Sequence, residues 1–178
     1  MSKTFLYFAY GSNLLAQRIK INNPSAERYA IGKLQGYRLD FATYSSRWKG
    51  ASATIVPQSD AHVWGAIWEI DMKNLPDLDR QEGVDRNIYF PLEVNVVNPE
   101  GESIQCRVYQ QTISPSFIHN IKDLPSERKP SPIYLKTIQL GGVESKLPED
   151  YVKFLNTIPD NGYSGQIDIQ LDLAENTV

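Results

Sequence analysis

Two short stretches of this sequence carry side chains suited to chemistry. The first is Tyr10-Gly11-Ser12-Asn13, where the apolar run FLYFAY (5–10) stops and a helical pattern begins. A strand-to-helix junction built from small residues can turn successive backbone N–H groups and a hydroxyl toward an anion. Gly11 and Ser12 are therefore candidates for holding a carboxylate or a developing oxyanion. The second is Glu82, in LDRQEGV. In a last helical turn the negative end of the helix dipole disfavours an ionised carboxyl by roughly 0.3–1 kcal/mol. Burial under the Gly83-Val84 turn and the aromatic pair Tyr89-Phe90 would raise its pKa further. Such a glutamate is a usable general acid/base near neutral pH.

The commoner catalytic constellations are missing. Histidine occurs only at positions 62 and 119 and cysteine only at 106, without HExxH or CxxC spacing, so no metal site is expected. Neither GxxxxGK[ST] nor GxGxxG is present, and no cofactor is expected. Ser12 does not sit in a GxSxG elbow, and Cys106 alternates within SIQCRVYQQ as a small hydrophobe would. An enzyme of this sequence would not supply its own nucleophile. No arginine is placed for the carboxylate by sequence alone.

At 178 residues the chain has the length of one domain with a core that needs no staples. A formal net charge of −3 argues against a nucleic-acid partner, which would call for a basic face. The N-terminus lacks a signal-peptide pattern and no window approaches a membrane span, so a cytoplasmic protein without a membrane partner is expected.

The elements that must position Gly11 and Glu82 follow from periodicity. FLYFAY reads as a buried strand and LLAQRIKI (14–21) as a short amphipathic helix ended by Asn22-Asn23-Pro24. Residues 29–42 read as strand, with Gly32 and Gly36 as bends or bulges, followed by a loop TYSSRWKG and separate strands 51–56 and 62–70. Residues 73–83 read as a helix capped by Asn74, with Pro76 in its first turn and Gly83 at its end. IYFPLEVNVV and SIQCRVYQQ flank the turn NPEG as a hairpin, with Pro91 at an edge or bulge. Residues 113–132 are a Pro/Ser-rich loop, and 133–142 and 148–158 are helical. One domain over 1–160 and a partly disordered tail over 161–178 are expected. Strands and helices do not alternate as βαβ units, which favours α+β with a mainly antiparallel sheet or barrel.

Taken in order, FLYFAYGSNLL, NPSAERY, LQGYRLDF, ATIV, VWGAIWEID, LDRQEGV and SPIY resemble the γ-glutamylcyclotransferase family, its γ-glutamyl-amino-acid branch in particular. The resemblance spans most of residues 5–160. It implies a small, mainly antiparallel β-barrel with surrounding helices and a pocket at the barrel mouth. It also implies that Tyr7, Phe8, Ala9, Tyr10, Gly11 and Ser12 hold the glutamyl end of a γ-glutamyl substrate, that Glu82 is catalytic, and that Tyr89 and Tyr134 lie near the pocket. The implied reaction releases 5-oxoproline and a free amino acid, within glutathione metabolism, and a homodimer is expected. Alternatives are a γ-glutamylamine or glutathione cyclotransferase, or a non-catalytic binding module of the same fold. The Pro/Ser segment before Tyr134 is longer than the family pattern.

Overall fold

A computed structural model describes residues 3–173. Its centre is a closed five-stranded barrel in the order β1-β3-β2-β4-β5. Strand β1 (Thr4–Ala9) pairs antiparallel with β3 (Gly50–Asp71) along its whole length. Strand β2 (Glu27–Ser45) pairs antiparallel with β3, and β4 (Tyr89–Val97) with β5 (Ser103–Gln111) across the NPEG turn. Closure uses two narrow seams, Lys33 opposite Val97 and a parallel bridge between Tyr7 and Arg107. The expected barrel is therefore present, antiparallel at every junction but one.

The expected strands 51–56 and 62–70 are one strand of 22 residues, and β2 runs for 19. Segment TYSSRWKG is the tip of their hairpin rather than a long loop, with Lys49 at φ +62°. Ladders this long stay closed around a small barrel only by bending. Register shifts at Arg28/Ala30, Gln35/Tyr37 and Phe41/Tyr44 supply the bends. Gly36, at φ +86°, lies inside the second shift, as expected. Gly32 does not bend the strand: it pairs in regular register with Gly65, and a Cβ there would lie 2.7 Å from Val96 Cγ2. Close packing across the barrel, not a bulge, requires that glycine.

Phe8, Phe41, Ile55, Ile67, Val96 and Val108 are among the fully buried core residues. Four helices cover the barrel: α1 (Ala16–Asn22), α2 (Leu75–Gln81), α3 (Pro132–Glu144) and α4 (Glu149–Leu155). Residues 113–131 hold only two 3-10 turns, Ile121–Asp123 and Ser126–Arg128. Arg128 ties this segment to the barrel, its Nη2 lying 2.5 Å from the buried Asp40 carboxylate and its Nε 3.0 Å from Phe41 O. Residues 161–173 form no helix or strand, yet Ile167, Ile169 and Leu171 pack against the core; 174–178, the end of the expected tail, lie outside the described residues.

The strand directions fix where the mouth is. β1 and β5 run parallel, so both bring their C-terminal ends to one rim, and antiparallel β4 begins there. Helix α3 presses the loop after β1 against that rim. Gly141 makes the approach possible, because a Cβ would lie 2.5 Å from Leu14 Cβ and 2.7 Å from Leu15 N. Gly141→Ala should therefore destabilise the fold by about 1–3 kcal/mol, as overpacking does. In thermal melts this appears as a Tm lowered by about 2–4 °C per kcal/mol; an unchanged Tm would mean that the helix seats loosely.

Candidate active site

Glu82 follows the last residue of α2 and caps it, its N–H donating to Leu78 O at 3.0 Å. Gly83 stops the helix in the left-handed region at φ +66°, as expected from sequence. Asn74 does occupy the N-cap position, but its side chain makes no capping bond and instead reaches Asp77 Oδ2 at 3.2 Å. The short helix thus ends at the barrel mouth with a half-buried glutamate facing the cavity it lines.

Opposite lies the loop after β1. A single 3-10 turn, Ser12–Leu14, follows Gly11, and its first internal bond joins Leu14 N–H to Gly11 O at 3.0 Å. The N–H groups of Gly11, Ser12 and Asn13 come before that bond and are the unsatisfied donors of a helical start. Below them a line of amides runs to Tyr7. Asn22 Nδ2 donates to Gln81 Oε1 at 3.1 Å, Gln81 Nε2 to Asn13 Oδ1 at 3.2 Å, and Asn13 Nδ2 to the Tyr7 hydroxyl at 3.1 Å. With its oxygen accepting from Asn13, the Tyr7 hydroxyl directs its proton to the Glu82 carboxylate.

Two chambers share Glu82 in their walls. The inner one, of about 40 Å³, is lined by Tyr7, Tyr10, Gly11, Ser12, Asn13, Ala53, Glu82, Tyr89, Tyr109 and Tyr134. The outer one, of about 650 Å³, shares Ser12, Glu82, Tyr89 and Tyr134 and adds Arg18, Arg47, Trp48 and Arg86. The phenols common to both are fixed by the backbone. Tyr89 donates to Ala53 O at 2.5 Å, and Tyr134 accepts from Ala53 N at 2.9 Å, leaving its own proton for a ligand.

Of the residues singled out in the sequence, Tyr7, Tyr10, Gly11, Ser12, Glu82, Tyr89 and Tyr134 converge on these chambers. Phe8 and Ala9 do not. Both are fully buried in the core, where the Phe8 ring fills the space that a side chain on Gly65 would occupy. Sequence reasoning missed Asn13, Gln81 and Arg18. Arg18 had a signal: it falls three and four residues after Leu15 and Leu14, on the apolar side of its helical pattern, where a charge is out of place. Tyr109 belongs to a separate group, donating to Asp79 at 2.6 Å and accepting from Arg107 Nε at 2.9 Å. Among the described residues, no cluster of three or more His, Cys, Asp or Glu could hold a metal ion. No helix there is long and apolar enough to cross a membrane.

Burial pushes the Glu82 carboxyl from the usual 4.5 to about 7, while the charge of Arg18 and the Tyr7 hydrogen bond restrain the rise and Asp79 adds to it. A carboxyl that exchanges its proton near neutrality, between donors and a pocket of ligand size, is the setting of acid/base catalysis.

Comparison with known proteins agrees with that chemistry. A γ-glutamylcyclotransferase of Bos taurus is 42% identical over 174 residues, covering 96% of this chain and 87% of the relative. The chain belongs to the γ-glutamylcyclotransferase family. The Homo sapiens member is 40% identical over the same coverage. A solved γ-glutamyl cyclotransferase structure superposes with a TM-score of 0.84 at 40% identity, covering 93% of this chain and 94% of that one. Residues 62–155 match the AIG2-like family. A yeast cyclotransferase specific to glutathione shares the fold alone, at 13% identity and a TM-score of 0.60 over 89% of this chain and 96% of that one.

A carboxyl whose folded pKa is raised favours the native state while protonated. That contribution is complete below about 4.5 and is lost as the pH climbs through about 7. Ionised Glu82 should then lower native stability by on the order of 1–3 kcal/mol at pH ~8. Glu82→Gln is expected to melt above the wild type at alkaline pH and together with it near pH ~4. Parallel melting curves at every pH would place the carboxyl in free solvent.

Proposed function

We propose that this enzyme converts L-γ-glutamyl-L-amino acids into 5-oxoproline and the free amino acid, with Glu82 moving the protons. The substrate's α-amine attacks its own γ-carbonyl carbon, a C–N bond closes the five-membered ring, and the amide C–N bond to the leaving amino acid breaks. The nucleophile is tethered in advance, which fits a site without a Cys–His or Ser–His pair. Holding the bent substrate can supply on the order of 7–11 kcal/mol, the advantage of a well-oriented intramolecular attack.

Protonation is the remaining barrier. An α-amine titrates near pH ~8 and arrives largely as an ammonium, which cannot attack. Ionised Glu82 takes one proton from it before attack and a second from the ring nitrogen afterwards, and passes both to the departing nitrogen, which leaves as the ammonium of the free amino acid while Glu82 is again ionised. One carboxyl serves both steps when its pKa lies near the working pH, and the observation carrying this reading is a Glu82 pushed to about 7 in the walls of two chambers. The unsatisfied N–H groups of the 11–13 loop are suited to the glutamyl carboxylate or the oxyanion, and the free Tyr134 proton to the same charge. The proposal also includes a cytosolic enzyme, supported by a lone unpaired Cys106, and a homodimer, supported by the family resemblance.

Incubation with γ-glutamyl-alanine, the γ-glutamyl-lysine isopeptide and glutathione, with 5-oxoproline measured from each, tests the reading. The first should react fastest; release from none of them by folded protein would leave a binding module. Glu82→Gln should lower kcat by about 10²–10⁴-fold, and the wild-type kcat/KM should rise with pH through about 7 as Glu82 ionises. Substantial turnover by the variant removes Glu82 from the chemistry. A Cβ on Gly11 would stand 3.4 Å from Ala53 Cβ and 3.5 Å from the Tyr134 hydroxyl. Gly11→Ala should accordingly be tolerated, whereas the branches of Gly11→Val close the inner chamber and raise KM; equal kinetics would reduce the loop to a structural turn.

A further inference from the structure

The cavity holds a cation that the protein leaves unanswered. Arg18 is only 3% exposed, and its Nε and Nη1 are buried without a hydrogen-bond partner. The guanidinium lies over the Trp48 ring, 5.7 Å from its centroid, which holds the group in place without satisfying its N–H donors. Burial pulls its pKa below the usual arginine range, the Glu82 charge opposes that, and Arg47 adds to it. The group stays a cation throughout the accessible pH range. It forms no ion pair with Glu82, while Asp40, Asp77 and Asp79 are each engaged by other arginines.

A buried guanidinium that lines a chamber and has no carboxylate partner among the described residues is suited to the carboxylate of a ligand. A γ-glutamyl-amino acid carries two carboxylates, and the chambers distinguish them. Arg18 lines the outer chamber and is not among the residues of the inner one, where the 11–13 loop lies. Glu82 lines both, so the bond that breaks belongs beside it, with the glutamyl carboxylate toward the 11–13 loop and the departing half in the outer chamber. In an α-amino acid the carboxylate is one carbon from the departing nitrogen. It therefore falls on the outer side, close to Glu82 and within the reach of Arg18.

We propose that Arg18 receives the α-carboxylate of the leaving amino acid and thereby selects γ-glutamyl-amino acids over γ-glutamyl amines that lack that group. The assignment rests on the cyclotransferase reading above. Arg18 binds substrate and determines specificity; it takes no part in the proton transfers.

The test pairs two substrates with two proteins. γ-Glutamyl-alanine and γ-glutamyl-ethylamide differ only by the carboxylate on the leaving side. The wild type should prefer the former in kcat/KM by roughly 10- to 100-fold, the range of a hydrogen-bonded charge pair. Arg18→Met should lower kcat/KM for γ-glutamyl-alanine by roughly 10- to 100-fold more than for the ethylamide, and so erase the preference. Loss of Arg18 also relaxes its hold on Glu82, but that change affects both substrates alike and cancels in the ratio. Equal losses on the two substrates would assign Arg18 to the glutamyl half or to the fold, and overturn the proposal. Should Arg18→Met not fold, the wild-type comparison decides alone, because equal kcat/KM values for the two substrates contradict the proposal directly. Release of 5-oxoproline from neither substrate would instead sink the cyclotransferase reading.

Discussion

The structure depends on the enclosure of one carboxyl. Water would hold Glu82 ionised throughout the neutral range; taking it out of water raises the pKa to about 7, and Arg18 and Tyr7 keep it from rising further. Those opposing influences differ in origin. Desolvation comes from the barrel rim and covering helices, the coulombic restraint from one cation on α1, and the hydrogen bond from the first strand. A group poised between them can both accept and release a proton, whereas a fully solvated or fully neutralised glutamate could do only one of these well.

Much of the architecture can be understood as holding that balance. α2 is two turns long, and the left-handed Gly83 ends it where the carboxyl meets the mouth. α3 seats the 11–13 loop from outside through Gly141. Asn22, Gln81 and Asn13 fix which way the Tyr7 proton points, so the donor to Glu82 is set by a line of amides that themselves carry no net charge. Because Gln81 is the neighbour of Glu82 in sequence, the same helix end positions the acid and orients the phenol that restrains it. The backbone of Ala53 adds a third fixed point, binding Tyr89 through its carbonyl and Tyr134 through its N–H.

Part of this was legible in the sequence, and the reasons are specific. The stop at Gly83, the hairpin at NPEG, the strand into Gly11-Ser12 and the bulge at Gly36 are local events governed by backbone conformation, which residue type reports directly. Position 49 shows the limit, since a lysine occupies a left-handed conformation and conceals the hairpin tip between β2 and β3. The single strand from Gly50 to Asp71 was hidden by the polar residues Gln58 to Asp60, which resemble a loop and do leave the ladder, bulging opposite Gly36 between the pairs Tyr37–Pro57 and Gln35–His62. Phe8 and Ala9 adjoin the active loop in sequence but face the core, a distinction set by packing against Gly65. The amide line was invisible for the opposite reason, since Gln81 lies 59 and 68 residues from its partners Asn22 and Asn13, whereas Arg18 showed only as a charge on the apolar side of its helix.

The central claim is the ionisation of a single side chain, and carbon-13 NMR of carboxyl-labelled glutamate reads it directly. In the ligand-free enzyme, the resonance assigned by its disappearance in Glu82→Gln should titrate with a midpoint at about 7. A midpoint near the ordinary 4.5 would contradict the account, because the carboxyl would then be solvated and spent as an acid well below neutrality.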